Sequence, residues 1–68
     1  MMNILINGNV KVFDTSEMTV ASLVVALELT GKRLAIEKNG EIVPRSQFAD
    51  VLLQDGDKLE IVGAVGGG

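Results

Sequence analysis

The spacing of apolar residues changes several times along the chain, and each change marks an element. Asn3-Ile4-Leu5-Ile6 is a short apolar run, Asn7-Gly8-Asn9 interrupts it, and Val10-Lys11-Val12-Phe13 follows, with Val10 and Val12 alternating with Lys11 and Phe13. This predicts a β-hairpin, because Asn and Gly tolerate the positive φ that tight hairpin turns require. Phe13 breaks the apolar/polar alternation at the strand end. Beyond Thr19 the period lengthens: Val20, Leu23, Val24 and Leu27 recur at the i, i+3, i+4, i+7 spacing of a helix with one face on a sheet. Thr19 is the expected N-cap, its hydroxyl accepting an otherwise orphan backbone N–H. The helix is expected to run from Val20 to about Leu29 and to stop at Thr30-Gly31, with Gly31 as the left-handed cap residue. Val25 and Leu29 then fall on the opposite face, as stray surface residues or as a partner contact.

Period two returns after Arg33. Leu34-Ala35-Ile36-Glu37-Lys38, Asn39-Gly40 and Glu41-Ile42-Val43 read as a strand, a tight turn and a short return strand. Pro44 has no N–H for an interior ladder, so the chain leaves the sheet there and runs through residues 45–49 as an irregular or single-turn segment anchored by Phe48. Val51-Leu52-Leu53 is apolar. Gln54-Asp55-Gly56-Asp57 turns into a last strand, Lys58-Leu59-Glu60-Ile61-Val62, in which Leu59 and Ile61 share one face. A hairpin, one helix and further strands make an α+β roll with the helix covering one face of the sheet.

Composition narrows the chemistry. Sixty-eight residues, 47% hydrophobic and 22% charged, allow one small globular domain, expected over residues 1–62. Six Lys+Arg against nine Asp+Glu leave a net charge of −3, which suits a basic protein partner better than nucleic acid or an anionic membrane; mild acidity also serves solubility. Cys, His, Tyr and Trp are all absent. Disulfides, thiolate metal sites and a cysteine nucleophile are thereby excluded, as are the commonest general base and the commonest metal ligand, which argues against a self-contained enzyme. The most apolar window, residues 20–29, is far below the ~20 residues of a membrane span, and a soluble, cytoplasmic protein is expected.

The remaining stretch, residues 63–68, reads Gly63-Ala64-Val65-Gly66-Gly67-Gly68 and follows the last charged residue, Glu60. It is expected to be a flexible tail. Fully extended, six residues reach roughly 20 Å, thin enough to enter a channel that excludes side chains. Such a tail either delivers a terminal carboxylate into another protein's active site or is a frayed end.

Taken together, Asn39-Gly40 with Ile42-Val43-Pro44-Arg45, Asp55-Gly56-Asp57 with Leu59-Glu60-Ile61, and the terminal Val65-Gly66-Gly67-Gly68 resemble the ThiS family of small sulfur carrier proteins of thiamine biosynthesis. The likeness covers nearly the whole chain. Phe48 stands where family members often carry tryptophan, and a third glycine precedes the terminal pair. The resemblance implies a ubiquitin-like β-grasp: a mixed sheet of four to five strands, the first and last side by side and parallel, with one helix across it and a C-terminal Gly-Gly tail. It also implies that the Gly68 carboxyl is the reactive group, adenylated by an E1-like activating enzyme (ThiF-type) using ATP and Mg²⁺. A persulfide, such as that of a cysteine desulfurase, then leaves a C-terminal thiocarboxylate that delivers sulfur to thiazole synthase (ThiG-type). The chain itself is expected to bind no cofactor or metal and to be a monomer when free. Gly66, Gly67 and Gly68 would enter both partners' active sites, where a Cβ near the reacting carbon would meet the channel wall. Val62, Ala64 and Val65 would seat the tail's base on a partner or end the core, and Arg45, Lys58 and Glu60 are candidate rim contacts.

Four other readings share parts of this pattern. The small subunit of molybdopterin synthase has the same fold and end, although Val43-Pro44-Arg45 and Asp55-Gly56-Asp57 lean toward the thiamine branch. Another sulfur carrier, or a ubiquitin-like modifier joined through Gly68 to lysines, would use the same carboxyl differently. A plain binding module would not use it at all.

Overall fold

The computed structural model describes residues 1–63. Ala64, Val65, Gly66, Gly67 and Gly68, and the expectations placed on them, lie outside the described residues.

Two Asn-Gly pairs reverse the chain. Asn7 (φ 49) and Gly8 (φ 85) join β1 (Met2–Ile6) to β2 (Asn9–Phe13). Positive φ at both central residues is what a two-residue hairpin turn demands, and Asn and Gly meet it with little strain. The register sets Met2 opposite Phe13 and Ile6 opposite Asn9. Phe13 therefore shares the face of Met2 and Ile4 and packs against the core, while Val10 and Val12 point to the other face and are exposed.

After β3 (Met18–Thr19) the chain enters α1 (Val20–Ala26). The Thr19 hydroxyl accepts the Ser22 N–H at 3.1 Å, as the cap position predicts. Two further N–H groups of the first turn are taken by a segment distant in sequence, residues 48–51: Val20 donates to the Val51 carbonyl at 3.0 Å and Ala21 to the Phe48 carbonyl at 2.9 Å. Val20 and Leu23 are buried, with Val24 and Leu27 packed against the core.

The helix stops three residues earlier than its period suggests, and the left-handed cap is Glu28 (φ 59), not Gly31. The Leu29 N–H reaches the Val24 carbonyl at 2.9 Å and the Glu28 N–H the Val25 carbonyl at 3.0 Å, the paired bonds of a Schellman motif. Continued helix would have carried Leu29 to the solvent face. Turning through Glu28 instead packs Leu29 against the core, where burying part of a leucine, up to about 1.5–3 kcal/mol, offsets a left-handed residue's ~1–2 kcal/mol. Gly31 (φ 86) has positive φ in the next turn, where the Lys32 N–H donates to the Leu29 carbonyl at 3.1 Å.

The second Asn-Gly turn, Asn39 (φ 53) and Gly40 (φ 89), joins β4 (Leu34–Lys38) to β5 (Glu41–Val43). A 3₁₀ turn, Arg45–Gln47, follows Pro44, and half-buried Phe48 anchors it to the core. β6 (Leu52–Leu53) pairs antiparallel with β3, a ladder too short to leave a periodic signal. The last strand, β7 (Lys58–Gly63), is one residue longer than the expected strand Lys58–Val62.

The main sheet has the order β2-β1-β7-β4-β5. Strand β7 lies at its centre, parallel to β1 and antiparallel to β4. Ile4, Val20, Leu23, Ile36 and Leu59 are fully buried between sheet and helix. A five-stranded mixed sheet whose first and last strands are parallel neighbours, crossed by one helix, is the β-grasp.

Candidate functional site

The strand that leads into residues 64–68 is also the strand held from most directions. At its start, Asp57 is buried among polar partners: the Asn39 side-chain amide donates to Oδ1 at 3.0 Å and the Gln54 N–H to Oδ2 at 2.8 Å. The Asn39 carboxamide oxygen accepts the Lys58 N–H at 3.0 Å, and the Asn39 N–H donates to the Lys58 carbonyl at 2.8 Å. One turn residue thus bonds both backbone groups of Lys58 and the carboxylate before it. Further along, Asn7 of the other turn donates its backbone N–H to the Leu59 carbonyl at 3.0 Å. Its side chain accepts the Ile61 N–H at 2.7 Å and donates to the Ile61 carbonyl at 2.9 Å. The two hairpin turns therefore fasten the first four residues of β7 from opposite sides, and β4 continues alongside to Leu34, opposite Gly63.

Side chains of β7 alternate between two environments. Leu59 and Ile61 enter the core, whereas Lys58, Glu60 and Val62 stand on the face away from the helix. Val62 is 59% exposed, and Ala35 lies beside it across the ladder. Glu60 is opposite Glu37, and Glu37 is in turn opposite exposed Ile42. Val10 and Val12 extend the same face beyond β1. The outer face thus has apolar margins around two facing carboxylates. A shallow depression of about 410 Å³ on this face is lined by Glu37, Asn39, Gly40, Lys58 and Glu60.

Among the described residues no three Asp, Glu, His or Cys side chains are grouped to hold a metal ion, and no helix is long and apolar enough to cross a membrane. The chemistry these residues support is presentation: a rigid central strand with an exposed apolar residue, Val62, two positions before residue 64.

The ThiS family model matches residues 4–68, which includes the entire glycine-rich end. The chain belongs to the ThiS family. Its sequence is 33% identical over 63 residues to the sulfur carrier protein ThiS of Bacillus subtilis (strain 168), covering 93% of this chain and 96% of that protein. Its fold superposes on the crystal structure of the thiamine biosynthesis protein (ThiS) of Geobacter metallireducens with a TM-score of 0.86, at 32% identity and covering 98% of this chain and all of that one. It is also 48% identical over 67 residues to the thiazole synthase of Paramagnetospirillum magneticum (strain AMB-1). That match takes in 98% of this chain, which spans 20% of the length of that protein.

Of the residues singled out from sequence, this ThiS-family chain places Val62, Lys58 and Glu60 together on the outer face of β7, with exposed Arg45 in the 3₁₀ turn. Asn7 and Asn39 are the residues that sequence reading missed. Each registers in the sequence only as half of an Asn-Gly turn, and nothing local shows that its side chain reaches a strand 54 or 19 positions away.

Proposed function

We propose that this chain is the sulfur carrier of thiamine biosynthesis and that Gly68 bears the sulfur as a C-terminal thiocarboxylate. The observation that carries this reading is the match to the ThiS family through residue 68, on a chain of nearly the same length as the carrier it resembles. A second match supports the recipient: a sequence 48% identical to this chain is part of a thiazole synthase polypeptide, and fusion of a carrier to the enzyme it serves keeps it at high effective concentration.

An α-carboxylate, with a reference pKa of about 3.3–3.7, is ionised at neutral pH and resists nucleophiles. Activation must come first. In an E1-like, ThiF-type enzyme supplied with ATP and Mg²⁺, a Gly68 oxygen attacks the α-phosphorus and pyrophosphate leaves. The terminal sulfur of a donor persulfide then attacks the acyl carbon, displacing AMP. A thiol cleaves the resulting S–S bond, forming a new disulfide and releasing the thiocarboxylate, which passes its sulfur to a ThiG-type thiazole synthase. Gly66, Gly67 and Gly68 enter the active sites of both enzymes, and Val62, with Ala64 and Val65, meets their surfaces. The chain contributes the reacting carboxyl and the scaffold; catalysis belongs to its partners.

The test is reconstitution of thiazole formation with the activating enzyme, thiazole synthase and a sulfur donor. The full chain is expected to support product, and a chain ending at Gly66 is not. Restored molybdopterin synthesis in place of thiazole, or thiazole formed equally with the shortened chain, would overturn the proposal.

A further inference from the structure

Asn7 serves two structural demands at once. Its main chain turns away from β1 at φ 49, so after its N–H has reached the Leu59 carbonyl the β1 backbone has no further group to offer β7. The side chain takes over, with the Ile61 N–H to Oδ1 at 2.7 Å and Nδ2 to the Ile61 carbonyl at 2.9 Å. A carboxamide carries the donor and acceptor of a peptide in one plane. The parallel ladder therefore gains one more step beyond the last backbone bond, two residues before Gly63. Few side chains could do this. Glycine accepts the φ but offers no group, while aspartate tolerates the turn yet has no donor for the Ile61 carbonyl when ionised.

We infer that Asn7 is a positioning residue for sulfur transfer: by holding Ile61 on the side of β1, where β4 gives no support, it steadies the strand that leads into residues 64–68. This role rests on the carrier reading above. With the strand fixed beforehand, less ordering remains to be done on docking, and the benefit appears in the affinity of the carrier for its enzyme. A side chain that served folding alone would change stability and leave that affinity as it was.

The experiment compares the full wild-type chain with Asn7→Gly and Asn7→Asp. Glycine at this position keeps the left-handed turn, so the first variant deletes the carboxamide without straining the backbone. Amide hydrogen exchange is read at Ile61 and, as internal reference, at Lys58, whose N–H is held by Asn39. Adenylation is followed as pyrophosphate release by a ThiF-type enzyme. In Asn7→Gly the Ile61 amide is expected to exchange about tenfold faster relative to Lys58, and the KM for the carrier to rise about tenfold with kcat held within about twofold. Asn7→Asp, which keeps the acceptor, is expected to fall between wild type and Asn7→Gly in both readouts. Retained protection of Ile61, or faster exchange with an unchanged KM, would overturn the inference. Failure of the wild-type chain to be adenylated would be a separate result, since it involves no variant, and would overturn the carrier reading and this role together.

Discussion

Replacing Glu28 with glycine should make the protein more stable, although it removes a side chain and shortens no loop. Glu28 holds φ 59 at the end of α1, where the Leu29 and Glu28 N–H groups close the helix onto the Val24 and Val25 carbonyls. A non-glycine residue in this conformation costs roughly 1–2 kcal/mol. Glycine avoids that strain but brings extra freedom to the unfolded chain, which takes back roughly 0.4–1 kcal/mol. The net gain from the backbone is about 0.5–1 kcal/mol, equivalent in a domain of this size to a rise in Tm of about 2–8 °C, and loss of the carboxylate adds to it. Glu28→Ala is the control. It also removes a carboxylate from the negative end of a helix, an effect of about 0.3–1 kcal/mol, but keeps the strained φ. Urea unfolding followed by far-UV circular dichroism should rank the midpoints Gly above Ala. Equal midpoints would assign any gain to charge alone and refute the backbone argument; a lower midpoint for Gly would refute the cap itself.

Three further outcomes follow from packing and charge. Leu23 is fully buried between helix and sheet, so Leu23→Ala should lower stability by about 2–5 kcal/mol, enough in a small domain to leave a large unfolded fraction visible by circular dichroism. Glu60 faces Glu37 across the β4–β7 ladder, and Glu60→Lys should stabilise by about 0.2–1 kcal/mol in low salt, with the gain shrinking as salt is added; a loss of stability, or a salt-independent gain, would contradict the pairing. Thr19→Ala removes the acceptor for the Ser22 N–H and should cost about 1 kcal/mol in the same unfolding assay.

Elements with a strong period were legible in the sequence. The two hairpins, the Thr19 cap, the buried stripe of α1 and the alternation of β7 all follow from local spacing, and the structure has them. Where the reading fell short, a contact distant in sequence overrode a local preference. The helix stops at Ala26 because Leu29 packs on the core, although Gly31 is the better cap residue by chemistry alone. The β3–β6 ladder has two residues a side and no period to show. The facing of β2 was set by its register against β1, which puts Phe13 opposite Met2 and sends Val10 and Val12 outward. At the candidate site the sequence pointed to Val62 and the terminal glycines. The fastening of β7 by Asn7 and Asn39 was invisible, because a turn residue's side chain reveals its partner only once the strands are assembled.

A carrier of this kind works through one atom of sulfur at one carbon. Incubating the chain with ATP, Mg²⁺, a ThiF-type enzyme and a persulfide donor, then weighing and fragmenting the intact protein, tests that claim most directly. The predicted product is heavier by the difference between one sulfur and one oxygen atom, and fragmentation assigns the whole change to Gly68. An unchanged mass, a change located elsewhere in the chain, or Gly68 joined to a lysine of another protein would contradict it.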